Sequence, residues 1–404
     1  MQTGRFYNWI PLGLTAMTLA FSQEKTPDPL TEAGFQAFYN LEYEEALTAF
    51  SKKIEHNPKD PIAHNHLAQT LLYYEMYRNG SLESELVNGT NPFVTRPKLN
   101  VLPEHSAQFT AAIQKSIALS QDRLRVNARD TRALYALGVA YGLRANWNFI
   151  VYKQLMDPLK DAAQARKLHN QATDIDPNFQ DARLVQGVHE YIMGSLPLPM
   201  RMLSFMAGMS GDREAGIRTL QQVAEKGSLN KADAAVLLWA ILRREKRQQE
   251  ALPLLVSLTE RFPRNHLLRL ELSLLYTELG DRRNAMLQID KVEHLRATGA
   301  PGFKTLPEEK IHYARGNVYF SFDDCDAAIA ALNKATSGAR KLDATTAALA
   351  WLRQGQAYDL KGLRKLAVDS YQQAANIAPK SDSGKEAQNY LSSPYKRKRS
   401  NLKT

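Results

Sequence analysis

The chain has 404 residues and one cysteine, with 52 lysines and arginines against 42 acidic residues and a formal charge of +10. A single cysteine, Cys325, excludes an internal disulfide framework, so the fold must rest on packing. Five basic residues near the end and Arg5 at the start account for six of the charges, and the remaining +4 is too small for a body built to hold nucleic acid.

The first 22 residues read as an export signal. Arg5 supplies the positive start, Trp9 to Phe21 is an uncharged apolar run of about 13 residues, and Ala20-Phe21-Ser22 offers a cleavage site before Gln23. The run falls short of a bilayer span, although a retained anchor stays open as the alternative. No later stretch is long and apolar enough to cross a membrane as a helix. With one cysteine, the expectation is a chain exported by a bacterium, periplasmic or secreted.

From residue 23 onward the pattern is a recurring pair of short helices. Gly34, Ala46, Phe50 and Pro58 mark the first pair. Leu67, Ala68 and Leu71 begin a second, whose partner helix near 106–127 is displaced by a Gly-, Asn- and Pro-punctuated insertion at 79–105. Leu134, Leu137, Gly138 and Tyr141 begin a third, completed by Ala165, Ala172 and Pro177 after an expected insertion at 145–160. Gly187 opens the next pair and Gly216 and Leu220 close it, across an interruption at 193–211. There Met200–Met206 reads as a short apolar helix and Asp212 as an N-cap. Ala251, Leu255, Leu258 and Pro263 end a fifth pair, Tyr276, Gly280, Ala285 and Ile289 mark a sixth, and Gly316, Tyr319, Ala328, Leu332 and Ala335 a seventh. The last and most regular pair spans 348–381. The expected division is an array over 23–300, further repeats and a capping helix over 301–392, and a basic disordered tail over 393–404.

In that last pair Trp351, Gly355, Tyr358, Gly362, Ala367, Tyr371, Ala374 and Pro379 stand at fixed spacing. Small residues sit where two antiparallel helices cross, large ones fill the space beside them, and Pro379 stops the second helix. This spacing resembles the tetratricopeptide repeat, whose period is 34 residues. The resemblance implies an all-α solenoid of about eight repeats, because one pair cannot bury its own apolar face. It also implies a concave groove lined by the first helix of each pair, here Tyr135, Val139, Leu184, Val188, Leu270, Leu274, Tyr313, Asn317, Leu352 and Gln356. A protein or peptide partner is expected there, and a non-enzymatic role. Residues 195–216 also resemble the Iml-type family of eukaryotic repeat proteins linked to inclusion-body clearance and lipid droplets. The matching residues are Ser195-Leu196-Pro197, Leu203, Phe205, Gly211-Asp212-Arg213-Glu214 and Gly216. The leader departs from that family, so an intracellular role does not follow.

No catalytic arrangement emerges. His189-Glu190 opens like a zinc-protease helix, but the second histidine's place is taken by Met193. His64 and His66 stand two apart on a helix and point to different sides, which suits a shared metal poorly. No cofactor is expected. Two further surfaces are candidates: Met200, Met202, Met206 and Met209 for an apolar or lipid contact, and Lys396, Arg397, Lys398 and Arg399 for an anionic membrane. These keep open an envelope-associated lipid adaptor and an accessory role in secretion or cell-wall assembly.

Overall fold

Most first helices of a pair begin with the same device, a short polar side chain that takes up a free backbone N–H. In a computed structural model describing residues 28–82, 98–154, 156–206 and 210–397, Asp28 accepts from Thr31 N, Asp60 from Ile62 N, Asp130 from Ala133 N, Asn265 from Leu268 N and Asp343 from Thr346 N. Proline stands inside the first turn after Asp28 and Asp60, where its missing N–H costs nothing.

These starts generate α1 (Pro29–Tyr39), α2 (Tyr43–His56), α3 (Pro61–Arg78), α4 (Pro103–Val126), α5 (Thr131–Ile150) and α6 (Met156–Ile175). There follow α7 (Arg183–Ser195), α8 (Leu198–Met206), α9 (Arg213–Lys226), α10 (Lys231–Arg244), α11 (Gln248–Arg261) and α12 (His266–Glu278). The chain ends with α13 (Arg282–Ala297), α14 (Glu308–Ser321), α15 (Cys325–Ser337), α16 (Ala344–Leu360), α17 (Arg364–Ile377) and α18 (Asp382–Ser392). Apart from α8 and the closing α18, they pair as eight antiparallel hairpins, each packed on the next, and no strand occurs among the described residues.

One steric rule fixes the hairpins. A Cβ on Gly34 would lie 2.6 Å from the Phe50 ring, on Gly138 2.5 Å from His169, on Gly316 2.7 Å from Leu332 and on Gly355 2.5 Å from Tyr371. A missing side chain on the first helix thus receives a large one from the second, and Phe50, Leu332 and Tyr371 are fully buried.

Two expected boundaries change. The surplus at 145–160 is mostly helical, with α5 running to Ile150, α6 starting at Met156 and a turn at 151–154 between them. Trp147 stacks on Phe109 with ring centroids 4.0 Å apart, and Ile150 is also buried, so apolar contacts carry α5 onward and the surplus becomes longer helices. The tail does not loosen at 393 either. Tyr395 N donates to Asp359 Oδ2 at 2.7 Å, and Arg397 donates to the Phe320 carbonyl at 2.6 Å. The leader, residues 83–97 of the insertion, and 398–404 lie outside the described residues. The base of the insertion is closed by Asn79, whose Oδ1 accepts from Asn100 N at 2.9 Å.

Candidate functional site

The first hairpin of the solenoid is tied to the fifth and sixth. Tyr39 at the end of α1 reaches α10, where its hydroxyl donates to Asp233 Oδ1 at 2.6 Å, and its ring stacks on Phe262 at 4.7 Å. Its carbonyl accepts from Asn265 Nδ2 at 2.6 Å, Asn40 Oδ1 accepts from Arg264 N at 2.8 Å, and Gln36 Nε2 donates to the Arg261 carbonyl at 3.0 Å. Arg264 grips Glu42 with two bonds of 2.6 and 2.7 Å. The α1–α2 corner is therefore seated on the α11–α12 turn, and residues some 225 apart in sequence share one buried cluster. The receiving turn is stiff: Gly302, at φ 79°, lies so close to the Arg264 carbonyl that a Cβ would stand 2.1 Å from it, and the Gly302 carbonyl bonds His266 Nδ1.

Tyr135 is 3 % exposed, and its hydroxyl donates to Asn230 Oδ1 at 3.1 Å in the loop before α10. Asp181 organises that loop, accepting from Ser228 N, Leu229 N and Asn230 N. Val139, Leu184 and Val188 are half-buried against the surrounding core. Tyr135 therefore serves as packing between repeats, while Val139, Leu184 and Val188 keep part of their surface exposed.

In the second half the expected groove residues are likewise a mixture of buried and partly exposed side chains. Leu270 and Leu274 on α12 and Tyr313 on α14 are half-exposed, and Asn317, one turn after Tyr313, is 9 % exposed with an Oδ1 that has no hydrogen-bond partner among the described residues. Leu352 and Gln356 on α16 are buried, Gln356 donating to Glu386 Oε1 of α18 at 3.2 Å. A line of charge runs beside them. Arg243 on α10 bonds Glu271 at 2.7 Å and also Glu278. Farther along, Arg353 lies 4.5 Å above the Phe320 ring and donates to Gln356 Oε1. Burial opposes the charge on Arg243, but the two glutamates outweigh it and raise its pKa above the ordinary arginine value. Burial pushes the Glu271 carboxyl up, against the pull of Arg243 and assisted by Glu278. Tyr313 senses both Glu271 and Arg353, with burial the main reason its phenol is raised. Arg243, Glu271 and Arg353 were missed in the sequence, where isolated charges on helices read as solvated.

The other candidates separate. Met202 and Met206 are exposed, at 62 % and 82 %, and with Leu198 at 63 % they form a stripe at four-residue spacing along α8. Met209 and the side chain of Met200 lie outside the described residues. Lys396 is exposed, whereas Arg397 is engaged with Phe320 and Asp323, the latter at 3.0 Å, and so is turned inward; Lys398 and Arg399 are not among the described residues. His66 lies among Phe35 and Phe50, and burial, with Lys53 nearby, lowers its pKa to about 3. No group of side chains suited to a metal ion, and no helix able to cross a membrane, occurs among the described residues. A cleft of about 260 Å³ between α9, α10 and α11, floored by Leu238, Leu254 and Pro253, is smaller than ordinary ligand pockets.

A profile of the tetratricopeptide repeat matches residues 348–381. Among solved structures, the chain is similar to the APC/C hetero-tetramer Cut9-Hcn1 at 14 % identity, covering 92 % of this chain and 57 % of that one, with a TM-score of 0.50. It thus spans a little over half the length of that structure's chain. It is also similar to yeast Tom70, at 12 % identity over 90 % of this chain and 87 % of that one, TM-score 0.36. A third similarity is to a thermophilic tetratricopeptide protein of Thermus thermophilus, at 16 % identity over 61 % and 96 % of the two chains, TM-score 0.34. No curated protein matches by sequence, and the Iml-type resemblance of residues 195–216 gains no support from these comparisons. The chain carries a tetratricopeptide repeat at residues 348–381, set within an all-α helical-repeat solenoid of that kind.

Proposed function

We propose that this protein is a binding scaffold, without enzymatic activity, that takes an extended segment of a protein partner on the inner face of α12, α14 and α16. The observation that carries this reading is the set of partly exposed apolar side chains on α12 and α14 beside the Arg243–Glu271 ion pair. Leu270, Leu274 and Tyr313 are partly exposed there, and Arg243 bonds Glu271 and Glu278. The partly exposed apolar residues supply shallow side-chain contacts for an extended segment. Peptides selected by display on the full chain test it. Leu274→Lys should weaken their binding about tenfold or more, whereas Leu363→Lys, on an exposed outer position, should not. Equal binding by both variants would move the site elsewhere.

The leader supports export, so the mature chain is proposed to begin at Gln23 and to work in the periplasm or outside the cell. N-terminal sequencing of exported protein that returned Met1 would refute this. The apolar stripe Leu198, Met202 and Met206 favours a second reading, an envelope-associated adaptor that touches lipid through α8. Liposome flotation of the wild type against Met202→Lys separates the two, since groove binding predicts no difference.

A further inference from the structure

The joint that closes the superhelix is built unlike the joints between successive hairpins. Successive hairpins meet through apolar clusters, as where Ala285 and Ile289 of α13 pack with Ile311 and Val318 of α14. The closing joint uses one corner, residues 36–42, against one turn, residues 261–266, and Asp233 of α10. Of its contacts, the Tyr39–Phe262 stack is apolar; the bonds from Gln36, Tyr39, Asn40 and Glu42 are polar. The Arg264 and Glu42 side chains are 38 % and 19 % exposed, so water can replace their bonds when the joint parts. The first hairpin is otherwise attached through its neighbour α3, which supplies a pivot.

We infer that the first hairpin is a latch: its α1–α2 corner occupies the inner face at α10 and the α11–α12 turn, and swinging out on α3 lengthens the accessible groove toward the fifth repeat. The seat itself is poised for release. Asp233 is met by Tyr39 from α1, by Gln69 and Tyr73 from α3, by Tyr135 from α5 and by Asp181 from the turn before α7, and by no basic partner among the described residues. A carboxylate held in this company is better solvated when the corner leaves. The vacated surface carries Phe262, Asn265 and Arg264, side chains able to receive an aromatic residue, a backbone carbonyl and a carboxylate. A partner segment with those groups would compete with the α1–α2 corner, so the latch would gate the groove's length.

Charge reversal in the full-length chain tests the latch without any partner. Glu42→Arg and Arg264→Glu, made singly, should each speed amide exchange in 36–42 and 261–266 about tenfold or more and enlarge the radius of gyration in small-angle scattering. Exchange in α16 and α17 should stay at its wild-type rate, and the double variant Glu42→Arg/Arg264→Glu should restore closure. Tyr39→Phe, which removes a single hydrogen bond, should give the same localised pattern at smaller amplitude. The inference is overturned if the single reversals unfold the chain or raise exchange everywhere, since the joint is then core. It is equally overturned if exchange at 36–42 does not change, or if the double variant fails to restore it.

Discussion

At the scale of single residues, Gly355 and Asp233 show two kinds of constraint. A Cβ at 355 would meet the ring of Tyr371, which is fully buried and tied through its hydroxyl to Asp359 at 2.8 Å, so the ring cannot retreat. Gly355→Ala should therefore cost about 1–3 kcal/mol by overpacking, and Ala367→Leu a similar amount. Denaturant titration should show the loss, with faster amide exchange confined mainly to the last repeats. Such positions were legible in the sequence because local sterics alone demand small beside large. Asp233 was not, since its neighbours come from four distant segments. Burial raises its pKa to about 6, partly offset by Tyr39 and Gln69 and reinforced by Asp181. Its folded form holds a proton more tightly than the unfolded chain, so its contribution is present below about pH 4 and is lost as pH rises to about 6. His66, His169 and His266 act the other way. Burial lowers them to about 3, 4 and 4, so their contribution is present above about pH 6.5 and is lost as pH falls toward 4. Melting temperatures should show Asp233→Asn more stable than the wild type at pH 7, the two converging near pH 4. Parallel curves would mean that Asp233 is not strained by its surroundings.

At the scale of elements, helix identity followed from the sequence where caps and crossings repeat, and failed where tertiary contacts decide length. The surplus at 145–160 was expected as an insertion because it exceeds the repeat period; Trp147 on Phe109 helps carry α5 through Ile150, leaving a turn at 151–154 before α6. The short helix at 198–206 was legible from Pro197 and its apolar run, and Asp212 does cap α9, accepting from Ala215 N at 2.6 Å. The basic end misled, because a run of lysine and arginine reads as solvated whichever of them docks. Arg397 lies over Phe320 at 4.7 Å and pins residues 393–397 against α14 and α16. Arg397→Ala should destabilise the last two repeats by about 1–2 kcal/mol, the loss of charge-assisted bonds, with Lys396→Ala nearly neutral. Thermal melts of the two variants check this, and equal effects would mean that the contact contributes nothing. Retention on anionic vesicles, if it occurs, then falls to Lys396, Lys398 and Arg399, and should weaken steeply with salt.

At the scale of the whole molecule, the repeat pattern revealed a solenoid but not how tightly it winds. Closure depends on a small rotation added at each hairpin, and no local residue reports the sum. The residues that the repeat implied for a groove differ in burial, which the assembled packing decides: Tyr135 is buried and Leu274 is partly exposed. The charges Arg243, Glu271 and Glu278 follow the same logic, since only the assembled face brings them together. Partner binding in the second half is tested most directly by site-specific photocrosslinking in the producing cell. A photoreactive residue at 274 should capture a protein partner, and the capture should be lost when Tyr313→Lys is added; the same residue at 135 should capture none. Capture from 135 with none from 274 would contradict a scaffold whose open face lies on α12, α14 and α16.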